Sequence, residues 1–215
     1  MTCSSKKEGI DGIDLDYEGI QSIEEWRSYL ELMVFVADKL NQHSLLLTVA
    51  LHPGQFLPKQ VCAKINRVHV MSYDMVGGPN KKEGHHAELK DVQNAVKSFI
   101  DRGCPPSKVI MGIPAYSRHG QNPGLVKTYS EIVDDYVTEG QTVGNSDFQQ
   151  LSSLNGYYFD SPDDVRLKVQ YSKTAGLGGI FFWELGQDKQ YPGYDGGVLL
   201  MAAALTNGDQ HRGEL

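Results

Sequence analysis

Cysteine is scarce in this 215-residue sequence: Cys3, Cys62 and Cys104 are the only three, and none belongs to a CxxC pair. That pattern argues against a zinc site or a disulfide framework, leaves room for one bridge at most, and reads as three unrelated thiols. Long apolar runs are absent too. No stretch of about 18 apolar residues occurs, and the first residues, MTCSSKKEGIDGIDL, lack the apolar centre of a secretory signal, so neither a membrane span nor a leader is expected. Basic charge is in deficit, with 20 Lys and Arg against 27 Asp and Glu, a formal net charge of -7, and no run of five basic residues. A nucleic-acid partner needs the opposite balance and is not expected. Eleven Tyr, seven Phe and two Trp suit a neutral polymer such as a polysaccharide, which is held by stacking and hydrogen bonds.

What is present is a regular alternation of apolar runs with amphipathic stretches, the pattern of repeated βα units around a mostly parallel sheet. Strands are expected over 12–17, 45–51, 68–73, 109–115 and 179–184. Helices are expected over 23–41, 57–64, 87–102, 162–175 and 198–205, the fourth capped by Ser161 with Pro162 in its first turn. The Gly-rich stretch VGGPNKKEG reads as a loop, and the tail TNGDQHRGEL as frayed. Residues 117–160 are longer and more polar than the rhythm allows and read as an enlarged loop region, with a helical piece near 130–137, inside a single domain.

The segment DGIDLDYE, residues 11–18, is the most informative. Strand side chains alternate faces, so Asp14, Asp16 and Glu18 share one side, while Ile13, Leu15 and Tyr17 take the other, where helices are expected to bury them. Like charges crowded in this way are unfavourable unless protons are shared or a cation is bound, so raised carboxyl pKa values are expected. A carboxylic acid kept protonated in this manner serves as a general acid, and Glu18, at the C-terminal end of its strand, is the natural proton donor. Two duller readings stay open: a divalent-cation site built from the same three carboxyls, and an exposed acidic strand edge.

At this point the residues resemble a known pattern, the DxxDxDxE signature of family 18 glycoside hydrolases, the chitinase and endo-N-acetylglucosaminidase family. Met71-Ser72-Tyr73-Asp74 looks like the family's sixth-strand M-x-Y-D, Gly112 to Arg118 like its seventh-strand G-x-P-x-Y-x-R, and Phe182-Trp183-Glu184-Leu185 like its eighth-strand Trp segment. The resemblance covers about residues 9–190 and implies a (β/α)8 TIM-barrel fold. It further implies retaining hydrolysis of β-1,4-linked N-acetylglucosamine in chitin or chitooligosaccharides, with the sugar's own acetamido oxygen as nucleophile and no cofactor or metal. On this reading Glu18 is the acid and later the base, Asp16 orients the acetamido group, Asp14 shares a proton with Asp16, and the Tyr73 hydroxyl bonds the acetamido group. Asp11, Tyr17, Met71, Asp74, Tyr116 and Arg118 fall among the substrate-binding positions, and Trp183 supplies an apolar floor under the sugar.

Outside the resemblance, His69 reads as a satisfied interior histidine and the His85-His86 pair as a solvated loop. The acidic strand is the family's fourth of eight, yet it begins near residue 11, so strands one to three and the third-strand S-x-G-G segment are missing. The expectation is therefore an N-terminally truncated barrel with open edges through which copies of the chain self-associate. Other readings are a chitin-binding lectin without activity, an inactive fragment, or an endo-N-acetylglucosaminidase acting on N-glycans. Retention of Glu18 speaks against the lectin.

Overall fold

A computed structural model describes residues 9–76, 83–194 and 196–207. Cys3, most of the Gly-rich loop and the tail beyond 207 lie outside the described residues. The elements run β1 (Gly12–Asp16), α1 (Ile23–Asn41), β2 (Leu46–Leu51), α2 (Lys59–Lys64), β3 (Arg67–Val70), α3 (Leu89–Asp101) and β4 (Val109–Pro114). Next come β5 (Tyr116–His119), β6 (Val126–Thr128), α4 (Tyr129–Thr138), α5 (Ser146–Gln150), β7 (Ser153–Leu154) and β8 (Tyr157–Tyr158), and then α6 (Pro162–Thr174), β9 (Gly179–Trp183) and α7 (Val198–Asn207).

Five strands form one parallel sheet in the order β1-β2-β3-β4-β9, the α/β arrangement that alternating strands and helices dictate. Because parallel strands joined by helices are covered on their faces, β2 and β4 are almost wholly apolar and β4 is buried throughout. The covering helices use one stripe each: Tyr29, Met33 and Ala37 on α1, and Val92, Ala95, Val96 and Phe99 on α3. Ser22 caps α1 by accepting from the Glu25 amide, and Ser161 caps α6 in a reciprocal pair with Asp164. Between β4 and α6 the chain leaves the main sheet to build a four-stranded antiparallel sheet, β6-β5-β8-β7, within the stretch expected to be an enlarged loop region.

Four expectations are corrected. Ile13 and Tyr17 are not buried by helices: they are 47% and 46% exposed, because among the described residues β1 pairs with β2 alone. The strands at the site end early, β1 at Asp16 and β3 at Val70, so Glu18, Met71 and Tyr73 stand just past them. His85 and His86 are buried rather than solvated. Cys62 and Cys104 are not independent thiols but a disulfide joining α2 to the segment after α3. Spacing alone hides this pair, since the bridge spans 42 residues and both sulfurs lie in the core.

Closing a loop of that length removes much freedom from the unfolded chain, and such bridges contribute about 2–4 kcal/mol. Replacing both Cys62 and Cys104 by Ala is expected to lower the thermal midpoint by about 10 °C, given about 2–4 °C per kcal/mol at this chain length. A double variant that melts with the wild type would show that the bridge contributes nothing.

Among the described residues no helix is long and apolar enough to cross a membrane.

Candidate active site

The sheet's C-terminal edge carries a pocket of about 230 Å³. At that size it is smaller than a typical drug-sized ligand site. From the β1 side come Asp14, Asp16 and Glu18; from the β2 side, Ala50 and His52. His69, Met71, Tyr73 and Asp74 come from β3 and the segment after it, and Tyr116, Phe181 and Trp183 close the far wall. The walls follow from register. Asp14 pairs with Thr48 and Asp16 with Ala50, so continuing the parallel ladder brings Glu18 beside His52.

Each carboxyl on this ladder has a different environment. Asp14 accepts from Thr48 Oγ1 and contacts His69 Nδ1 at 3.0 Å. The His69 hydrogen bond, assisted by Thr48, outweighs partial burial and holds Asp14 below the usual carboxylate range. Asp14 is thus engaged by His69 and Thr48, a different arrangement from the proton shared with Asp16 that the resemblance implies. Asp16 makes no hydrogen bond among the described residues, and burial, with the charges of Glu18 and Asp14 on either side, pushes its carboxyl up. Glu18 Oε2 lies 2.6 Å from His52 Nε2.

The opposite wall is an anchored cluster. Asp74 sits in the left-handed region at φ 59°, unusual for a residue other than glycine. Arg118 holds it from two nitrogens, the Tyr116 hydroxyl donates to its Oδ1 at 2.7 Å, and His86 Nδ1 lies 3.3 Å from the same oxygen. Burial opposes ionisation of Asp74, but His86, Arg118 and Tyr116 together outweigh it and keep the carboxyl well below its ordinary range. The Tyr73 hydroxyl is pushed up by burial and by the Asp74 charge, so it remains a neutral donor at physiological pH. Its ring packs edge-on to Tyr116 and Phe181. Gly112 makes room for this packing: a Cβ there would lie 2.8 Å from both the Tyr73 and Phe181 rings. Trp183 is half exposed with its surface on the pocket, which separates it from a core aromatic. The Trp183–Glu184 peptide is cis.

Of the residues expected from the sequence, the structure brings Asp14, Asp16, Glu18, Met71, Tyr73, Asp74, Tyr116 and Trp183 to one pocket. It does not bring Asp11, Tyr17 or Arg118 to the wall. Strand alternation carries Tyr17 to the other face, where its hydroxyl donates to Glu25 and its ring packs on Tyr29. Arg118 acts on Asp74 instead. Sequence reasoning missed His52, Thr48, Ala50 and Phe181, and it took His69 as interior without its Asp14 contact. The period-2 set Thr48, Ala50 and His52, in step with Asp14, Asp16 and Glu18, was the available signal.

One other cluster has metal-ligand chemistry: donor atoms of His85, Asp160 and Asp164 lie within 4.8 Å of one another. Asp164 is committed to the α6 cap, accepting from the Ser161 amide and hydroxyl. His85 Nδ1 accepts from the Ala87 amide, leaving Nε2 to donate to the Phe159 carbonyl. The Lys168 ammonium bonds Asp160 Oδ2 and already supplies the positive charge. His85, Asp164 and Asp160 Oδ2 are engaged with the protein itself, Asp160 Oδ1 has no hydrogen-bond partner among the described residues, and the cluster is a buried ion-pair network.

Comparisons with known proteins place the chain in a family. A family model described as glycosyl hydrolases family 18 matches residues 3–188. Endochitinase 1 of Metarhizium robertsii is 27% identical, with 86% of this chain and 53% of the relative covered. Chitinase 1 of Aphanocladium album is also 27% identical, over 85% of this chain and 53% of the relative. The chain therefore spans about half the length of these curated relatives. Among solved structures, the GH18 chitinase ChiB of Flavobacterium johnsoniae superposes with a TM-score of 0.77 at 21% identity, covering 98% of this chain and 66% of that one. A class V chitinase mutant from Cycas revoluta, solved in complex with (GlcNAc)3, gives 0.73 at 26%, covering 93% and 68%. With a family model matched along most of its length, this chain belongs to the glycosyl hydrolases of family 18.

Proposed function

We propose that the chain is the catalytic part of a hydrolase that cleaves β-1,4-linked N-acetylglucosamine in chitin or chitooligosaccharides with retention of configuration. The observation that carries this reading is the Asp14-Asp16-Glu18 ladder opening on one pocket with Tyr73, Asp74 and Trp183 opposite it. Trp183 offers an apolar floor under the sugar ring. Glu18 gives its proton to the departing glycosidic oxygen as that bond breaks, while the acetamido oxygen of the same sugar bonds to the anomeric carbon. Asp16, its carboxyl raised by burial and its neighbours, faces the acetamido nitrogen; Tyr73, neutral, donates to the acetamido oxygen until attack begins. Glu18 then takes a proton from water, which opens the oxazolinium-like ring and restores the starting stereochemistry. No cofactor enters the scheme.

The same reading makes β1, β2, β3, β4 and β9 the fourth to eighth strands of the family's barrel, within one catalytic domain. Closing a barrel of eight takes three more strands between β1 and β9, and edges left open there favour self-association. The exposed Ile13 on β1 supports it.

Proton NMR during hydrolysis of chitotetraose tests the chemistry. The β-anomer of the new reducing end is expected first, with the α-anomer arising later by mutarotation. Initial release of the α-anomer would contradict substrate assistance and require an inverting mechanism.

A further inference from the structure

We propose that His52 is a positioning residue that holds the Glu18 carboxyl in place through its Oε2, leaving Oε1 to meet the leaving-group oxygen. The catalytic consequence rests on the hydrolase reading of Glu18; the contact itself does not.

Three observations converge. The first is register: the parallel β1–β2 ladder, followed two residues past Asp16 and Ala50, puts position 52 beside position 18, so the pair follows from strand geometry rather than from a chance side-chain reach. The second is a fixed backbone. His52, Pro53, Gly54 and Gln55 form a tight turn, with the Gln55 amide donating to the His52 carbonyl at 3.2 Å and Gly54 at φ 90°, the conformation that suits glycine after proline in such a turn. The Gln55 side chain closes the turn by accepting from the His52 amide at 2.6 Å. The imidazole is thus carried on a short, internally bonded support.

The third observation is the contact. Nε2 meets Glu18 Oε2 at 2.6 Å, and Glu18 Oε1 has no hydrogen bond among the described residues. Glu18 stands past the end of β1 and is more than half exposed, so without a partner its side chain would sample several rotamers. A general acid misplaced by about 1 Å loses much of its effect, which is why a fixed partner matters here. With the acid proton on Oε1, Oε2 is an acceptor throughout the cycle, and the Nε2–H of His52 donates to it before and after bond cleavage. Other ionisable groups facing the pair are Asp16 and Asp14 from the β1 side and His69, Tyr73 and Asp74 from the β3 side.

The test compares His52→Leu, His52→Gln and Glu18→Gln on chitotetraose and on an aryl chitobioside, whose phenolate leaves with little help from an acid. For His52→Leu, kcat on chitotetraose is expected to fall by about tenfold or more, while kcat on the aryl substrate falls by about threefold at most and KM moves by about twofold at most. His52→Gln keeps an N–H donor at similar reach and is expected to recover to within about threefold of wild type. Equal losses on both substrates, or a change confined to KM, would overturn a role acting through the acid.

A crystal structure decides the contact without turnover. The wild type is expected to show one Glu18 rotamer bonded to His52, and His52→Leu more than one. A wild-type Glu18 turned away from His52 would overturn the inference. The pair intact in a folded chain inactive on both substrates would instead overturn the hydrolase reading alone.

Discussion

Glu18→Gln is expected to lower kcat on chitooligosaccharides by about three to five orders of magnitude, equivalent to about 4–7 kcal/mol of lost transition-state stabilisation. The amide has the size of the carboxyl and keeps a group that His52 can bond, so the fold and the sugar pocket are expected to persist. What it cannot do is give a proton to the glycosidic oxygen or take one from water, and both chemical steps depend on that transfer. Binding of a chitooligosaccharide, measured by calorimetry, should therefore survive within about a factor of three while cleavage disappears. Loss of binding together with cleavage would mean that the substitution disturbs the pocket. Retained cleavage would move the acid to another residue.

The second large effect lies far from the chemistry. Lys168 on α6 is fully buried, and its ammonium bonds Asp160 Oδ2, itself in the core. The other Asp160 oxygen has no hydrogen-bond partner and stands 3.5 Å from His85 Nε2. Lys168→Met leaves that carboxylate buried without its counter-charge, an arrangement that costs about 3–5 kcal/mol. A thermal midpoint lower by about 10 °C or more is expected for a chain of this length. Replacing both partners, Lys168→Met with Asp160→Leu, removes the charge problem together with the pair, and is expected to restore most of the loss. A double variant as unstable as the single one would show that the pair is needed for more than charge balance.

Lys168 also marks where sequence reading succeeds and where it stops. The span of α6 follows from its capping Ser161 and Pro162, and its buried positions Val165, Lys168, Val169 and Ser172 recur at helical spacing, so periodicity alone points position 168 inward. A lysine there reads as surface because burial of its charge is tolerated only with a partner, and Asp160 is recognisable as that partner only in three dimensions. The same distinction separates the two sides of the active site. Asp14, Asp16 and Glu18 are legible because one strand states its alternation in consecutive residues. Tyr73, Asp74, Tyr116 and Trp183 entered through resemblance, since their motifs lie on separate strands and nothing in their own spacing brings them together.

His52 was within reach of strand alternation and was missed. Pairing β1 with β2 in register would have set it beside Glu18, yet register between two strands is settled by the folded sheet. The exposure of Ile13 and Tyr17 has a related cause: alternation says which residues share a face, whereas what covers that face depends on the neighbours that β1 has in the sheet. The buried histidines 85 and 86 had no periodic signal at all, because they lie in an irregular segment whose neighbours, Phe159 and Tyr116, come from elsewhere in the chain.

The central claim is that the acidic ladder on this chain performs hydrolysis, and the most direct measurement is fluorophore release from a fluorogenic chitotriose-type substrate by the purified 215-residue protein beside Glu18→Gln. The account predicts steady turnover by the wild type that vanishes in the variant, with the two proteins indistinguishable by circular dichroism. A folded wild type that releases no fluorophore, or a variant that releases it at the wild-type rate, would contradict it.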